Sequence, residues 1–155
     1  MTMKSRRAEK ERDLEFLVSL RNEEECVKFS NRGVLTTKQV EADYFGTPNK
    51  NAYVVEENGQ NIGYLICRKV SDNTYQISVA LAPEMRGRGY GGPMMYEAAR
   101  ICIDQHRATE VVADVHANNL PSIKSMERVG FEITKRDGPI WEMMYRDIKR
   151  TDKNE

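Results

Sequence analysis

The sequence lacks paired cysteine spacings, an excess of charge of either sign, and any long apolar run. Cys26, Cys67 and Cys102 are scattered, which argues against a zinc-type site or a secreted disulfide framework and fits a reduced intracellular compartment. Acidic and basic residues number 24 each, so broad binding to nucleic acid or a membrane surface, which wants a basic excess, is disfavoured. No apolar stretch approaches the roughly 18 residues of a membrane span. The charged opening MTMKSRRAEKERD has no apolar core behind it and does not read as a signal peptide. Internal repeats and low-complexity tracts are also missing. At 155 residues the chain can bury about two thirds of its unfolded surface without a disulfide or metal staple. The expectation is a soluble, cytoplasmic single domain over residues 1–148, followed by a charged, disordered tail over 149–155.

What the chain does have is a concentration of glycine. In LAPEMRGRGYGGP (81–93), four glycines and two arginines fall within the seven positions Arg86 to Gly92. Glycine loses more conformational freedom on ordering than any other residue, so such a cluster marks a place where backbone comes close to something. Pro93 fits only the first turn of a helix, which puts a helix start at Gly89 to Gly92. Successive N–H groups leading into a helix N-terminus form a concave nest for an anion. Arg86 and Arg88 add charge that matches a phosphate fork. The expected ligand is a phosphate or pyrophosphate; the alternative is a tight turn whose glycines serve only close packing. Gly87, Gly89 and Gly92 also satisfy G-x-G-x-x-G. The dinucleotide-fold context is wrong, however, because APEMR separates Leu81 from Gly87 and the strands before it form a meander. No HRD or DFG follows, as a kinase loop would require.

The surrounding pattern predicts alternating elements. Leu14, Leu17, Val18 and Leu20 give a helix over 11–22, and TTKQVEADYF starts another at Thr36 or Thr37. Strands are predicted over 51–57, 61–70 and 73–81, joined by the short turns NGQN and SDN. A helix over 91–106, a strand over 109–117, a helix over 121–129 ended by Gly130, and strands over 131–136 and 140–147 complete the chain. The strand–helix–strand unit from 73 to 117 is a crossover, so its strands should be parallel. The fold class is therefore α/β, a mixed sheet with helices on both faces.

These residues resemble the GNAT superfamily of acetyl-CoA-dependent N-acetyltransferases. The family loop Gln/Arg-x-x-Gly-x-Gly/Ala is matched by Arg86-Gly87-Arg88-Gly89-Tyr90-Gly91. VHANNLPSIKSMERVGFE resembles the later motif, with the family asparagine at Asn119, and DLEFLVSLRN resembles the first helix. The likeness covers about residues 12 to 147. It implies a splayed central strand pair, with Val79, Ala80 and Leu81 pairing with the pantetheine arm. Arg86, Gly87, Arg88, Gly89, Tyr90, Gly91 and Gly92 would hold the CoA pyrophosphate, and Asn119 the cofactor arm. Asparagine is equally favoured as a helix cap. The family's first strand falls on the poorly apolar MKSRRA and should be short or at an edge.

The resemblance also implies direct attack of an amine on the thioester. The position of the usual tyrosine acid falls on Met126, which has no proton to give. Ser122 and Ser125 are the nearby hydroxyls that could replace it, and Tyr145 on the last strand is a third if it reaches the site; Ser122 is also readable as a helix-turn polar residue and Tyr145 as sheet packing. Asp114 and His116 share one strand face, and His116 has the useful intrinsic pKa for a base. Glu23 to Glu25 could attract a cationic amine or be a solvated charge run. The methionine pairs at 94–95 and 143–144 read as core filler. Trp141 lies on final strands that in this family often form a homodimer contact. The expected acceptor is a small-molecule primary amine such as an amino sugar, polyamine or amino-acid derivative. A protein N-terminus, or acyl-CoA binding without catalysis, is the alternative.

Overall fold

The computed structural model describes residues 2–30 and 32–146. Asp147, predicted to end the last strand, and the charged tail over 149–155 lie outside the described residues. Seven strands form one sheet in the order β1-β2-β3-β4-β5-β7-β6. The elements are β1 (Met3–Arg7), α1 (Lys10–Arg21), α2 (Glu24–Lys28), α3 (Thr37–Phe45), β2 (Lys50–Glu57), β3 (Gln60–Lys69), β4 (Thr74–Leu81), α4 (Gly91–His106), β5 (Glu110–His116), α5 (Leu120–Arg128), β6 (Glu132–Lys135) and β7 (Ile140–Arg146). Among the described residues no helix is long and apolar enough to cross a membrane. The described chain divides into two compact units, one of residues up to Ile66 with Val79–Arg88, the other of Cys67–Ser78 with the chain from Gly89 on.

In the first unit β1 does form. It is an edge strand, antiparallel to β2 with Ser5 opposite Val55. Its weak apolar content is offset by charge. The carboxylate of Asp13, fully buried in α1, accepts two hydrogen bonds from the Arg6 guanidinium at 2.7 and 2.8 Å and a third from the Glu9 N–H at 2.8 Å. Arg6 and the Glu9 amide hold the Asp13 carboxyl below its ordinary range, against the opposing effect of burial. Leu17 and Leu20 of α1 pack with Val40 and Tyr44 of α3, Val54, Tyr64, Ile66 and Ala80 into one core. Helix α3 starts where the sequence placed it, because Thr36 and Gln39 close a reciprocal capping box at 3.1 and 2.8 Å. The turn between β2 and β3 uses positive φ at Asn58 (53°) and Gly59 (75°), as a two-residue hairpin demands.

In the second unit α4 buries Met94, Met95, Ala98, Ala99, Ile101, Cys102 and Ile103. Strand β5 pairs antiparallel with β7 along its whole length, from Glu110 opposite Arg146 to His116 opposite Ile140. Its parallel pairing with β4 is far shorter, covering Thr74–Glu110, Tyr75–Val111 and Gln76–Val112. Ile77 and Ser78 therefore leave β5 while it runs on beside β7. The strands are parallel, as expected of the crossover, and their early parting is the splay that the family resemblance implied. Gly130 follows α5 with φ 109°, and its N–H donates to the Glu127 carbonyl at 3.1 Å.

Replacing Asp13 by Asn should cost roughly 3 kcal/mol, because it strands most of a buried ion pair. The folded Asp13 pKa is depressed, so its contribution is full above the unfolded value of about 4 and is lost as pH falls through the folded value. Urea unfolding should therefore show the gap between wild type and Asp13→Asn narrowing below about pH 4; a pH-independent gap would contradict this.

Candidate active site

Beyond β4 the chain spends its first polar groups locally. The Ala82 N–H donates to the Ile62 carbonyl at 2.8 Å, and Pro83–Met85 make a single 3-10 turn. The Met85 and Arg86 amides donate to Ala82 and Pro83 at 2.9 and 3.2 Å. After Arg86 the pattern stops. Among the described residues the N–H groups of Gly87, Arg88, Gly89, Gly91 and Gly92 make no backbone hydrogen bond. Gly87 and Gly89 sit at φ 76° and 87°, the left-handed region in which side chains are strained. Gly87, Arg88 and Gly89 are exposed. A Cβ on Gly87 or Gly91 would meet nothing within 4 Å.

The loop opens α4, whose N-terminus has neither a side-chain cap nor an acidic residue in its first turn. Tyr90 is the cap residue; its ring is buried, and its carbonyl accepts the Met94 N–H at 2.9 Å. Pro93 removes one donor that the helix could not have satisfied. What remains is a set of amides without backbone partners at the positive end of a helix of 16 residues. Gly92 differs from the others, since a Cβ there would lie 2.8 Å from the Ser125 carbonyl oxygen of α5. Its glycine is required for close helix packing, which was the alternative reading of the whole cluster and holds for this residue.

The two arginines also divide. Arg88 is exposed and forms no ion pair among the described residues. The Arg86 guanidinium is instead bound within the first unit, to Glu23 at 2.5 Å and Glu25 at 3.3 Å, with the Cys26 Sγ at 3.9 Å. Arg86 holds the Glu23 carboxyl down at about 2, against the effect of burial. Glu23 caps α2, accepting the Glu25 N–H at 3.3 Å. The charge run at 23–25 is thus no free acidic patch, although Glu24 and Glu25 are exposed. It anchors the arginine that begins the loop. Helix α2 itself went unpredicted, because five residues offer too little periodicity to read.

At the far end of β5, the Asn119 side chain caps α5 by accepting the Ser122 N–H at 3.4 Å. The Asn119 amide donates to the His116 carbonyl at 2.9 Å, which brings His116, Asn119 and Ser122 into one turn. The half-buried Ser122 hydroxyl meets the Met126 Sδ at 3.9 Å, and Met126 is buried. His116 shares its strand face with the exposed Asp114, which accepts from the Gln76 amide at 3.1 Å. Tyr145 is not brought to this turn. It lies opposite Val111, five residues of strand or roughly 17 Å from His116, with its ring 5.9 Å from Tyr96 and 5.4 Å from Phe131. Burial pushes its phenol up, and a hydrogen bond with Arg100 opposes that.

The amides before α4 lack backbone partners, the β4–β5 pairing stops at Gln76, and the turn after β5 is capped by Asn119. Residues 15–131 match the acetyltransferase (GNAT) family. The chain belongs to that family. A spermidine N-acetyltransferase SpeG chimera from Vibrio cholerae and hSSAT is similar over 98% of this chain and 99% of that one, with a TM-score of 0.83 at 15% identity. The structure of AAC(6')-Ib in complex with Parmomycin and AcetylCoA is similar over 98% and 97%, with a TM-score of 0.82 at 19% identity. At such identities the likeness is one of fold. A mycothiol acetyltransferase of Corynebacterium aurimucosum is 39% identical over 57 residues, which are 37% of this chain and 18% of that protein.

The two glycine roles predict different penalties. Gly92→Ala should cost about 2 kcal/mol, since a backbone oxygen must move to admit the methyl group. Gly87→Ala meets open space and should cost about 1 kcal/mol, from its positive φ alone. Urea midpoints at constant slope should place Gly92→Ala lower; the opposite order would refute the packing assignment.

Proposed function

We propose that the protein is an acetyl-CoA-dependent N-acetyltransferase that acetylates a small-molecule primary amine by direct attack, with the CoA pyrophosphate on the amides of Gly87, Arg88, Gly89, Gly91 and Gly92. The observation that carries this reading is the set of unpartnered N–H groups at an uncapped, acid-free helix start. Backbone donors and the helix dipole favour an anion there without any side-chain charge. Arg88 adds a free guanidinium, while Arg86 serves by fixing the entry to the loop. Val79, Ala80 and Leu81 offer backbone that can pair with the amides of the pantetheine arm. Asn119, already a cap, retains its side-chain N–H₂ to donate to that arm. The neighbours named for spermidine and for an aminoglycoside complex support a small amine as acceptor.

His116 takes the proton from the attacking amine in this reading. The amine lone pair forms the C–N bond to the acetyl carbonyl carbon, the C–S bond breaks with its electrons on sulfur, and the Ser122 hydroxyl protonates the thiolate. Ser122 suits the task because the only partner of its hydroxyl among the described residues is a weakly accepting thioether. Solvent restores the serine proton.

Saturating acetyl-CoA at a hundred times Kd should stabilise the wild type by about 2.7 kcal/mol. Gly89→Glu should remain folded and show none of that protection. Unchanged protection in the folded variant would remove the pyrophosphate assignment. Ser122→Ala should lower kcat about a hundredfold at unaltered KM for acetyl-CoA; an unaffected kcat would dismiss Ser122 as the acid.

A further inference from the structure

Helix α1 carries apolar residues of two kinds. Leu17 and Leu20 are buried in the core of the first unit. Leu14 and Val18, one helical turn apart, pack against the edge of that core and are only half-buried. They form the apolar floor of a groove of about 520 Å³, whose walls are Lys10, Glu11 and Glu15 of α1 and Glu41 of α3. That volume falls within the roughly 300–1,000 Å³ of small-molecule sites. All six residues lie in the first unit. None belongs to the amide nest or to the turn at Asn119.

The charge around this floor is unbalanced. Lys10 reaches Glu41 at 3.8 Å with both side chains well exposed, a pairing that contributes little. Glu11 and Glu15 are exposed and form no ion pair among the described residues. Glu11 has a role in the helix itself, since an acid in the first turn complements the dipole. Glu15 lies a turn further on, beyond that reach, and like charges four residues apart destabilise a helix. A cation held between the two carboxylates removes that repulsion. The floor also limits the size of the occupant. A docked helix reads a groove through anchors at i, i+3 or i+4, and i+7, whereas the apolar floor here spans a single turn.

We propose that the groove between α1 and α3 binds a small organic cation with an aliphatic chain. The chain lies on Leu14 and Val18, and the charged head sits between Glu11 and Glu15. The site takes nothing from the donor-binding loop, so it stands or falls apart from the transferase reading.

The test is a methyl NMR titration of the full chain with hexylguanidinium, whose permanent charge leaves it no free amine to be acetylated. The Leu14 and Val18 methyls should shift saturably, with a Kd about tenfold lower than that of methylguanidinium, which lacks the chain. Hexanol, which lacks the charge, and hexanoate, which reverses it, should both bind more weakly than hexylguanidinium. The double variant Glu11→Gln, Glu15→Gln changes two exposed side chains and should stay folded. It should raise the Kd for hexylguanidinium about fivefold and leave the response to hexanol as it was. Equal affinity for hexanol or hexanoate, or an unchanged Kd in the double variant, overturns the proposal. So does saturation at other methyls while Leu14 and Val18 stay still. Shifts of these two methyls that grow with protein concentration alone would give the groove to a second copy of the chain. Shifts with a basic amphipathic peptide but none with hexylguanidinium would give it to a protein partner. Either result overturns the small-cation assignment.

Discussion

The chain between β4 and α4 must turn from a strand into a helix while leaving a row of N–H groups without internal partners. Buried amides of that kind would be costly, so the turn is held at the surface, and positive φ at Gly87 and Gly89 aims it without side-chain strain. Helix α4 completes the arrangement by offering neither a capping side chain nor an acid. Competing negative charge has been kept out, and what remains is a site built from backbone. Such a site tolerates side-chain variation, provided that the glycines stay.

The charges that remain near the loop are used for architecture. Arg86 spends its fork on Glu23 and Glu25, tying the loop entry to the cap of α2. Asp13 does the same for β1 by receiving Arg6. Against these closed pairs Arg21 stands out, since it is more buried than Arg6 or Arg86 and has only a hydroxyl to hold.

Much of this was legible before any coordinates. Thr36 and Gln39 announce the start of α3, Pro93 fixes the first turn of α4, and Asn58-Gly59 marks the hairpin, because each acts through its own backbone. The parallel crossover followed from connection length, and the nest from glycine spacing. The partners of side chains were not legible. Arg86 looked like a phosphate ligand because nothing near it in sequence reveals a glutamate 63 positions away. Arg21 in the last turn of an amphipathic helix looks like any dipole-complementing cation; only burial distinguishes it. Gly92 cannot be told from Gly91 in the sequence, since its close approach to Ser125 depends on how two helices pack. Tyr145 offered a hydroxyl, and register alone places it at the wrong end of β5 to join Ser122.

The central claim is that the amides between Gly87 and Gly92 grip a diphosphate, and residue-resolved hydrogen exchange tests it most directly. Exchange at Gly87, Arg88, Gly89, Gly91 and Gly92 should slow sharply when the protein is saturated with CoA and stay fast with pantetheine, which lacks the diphosphate. Equally fast exchange at these amides in the CoA-saturated protein would contradict the account.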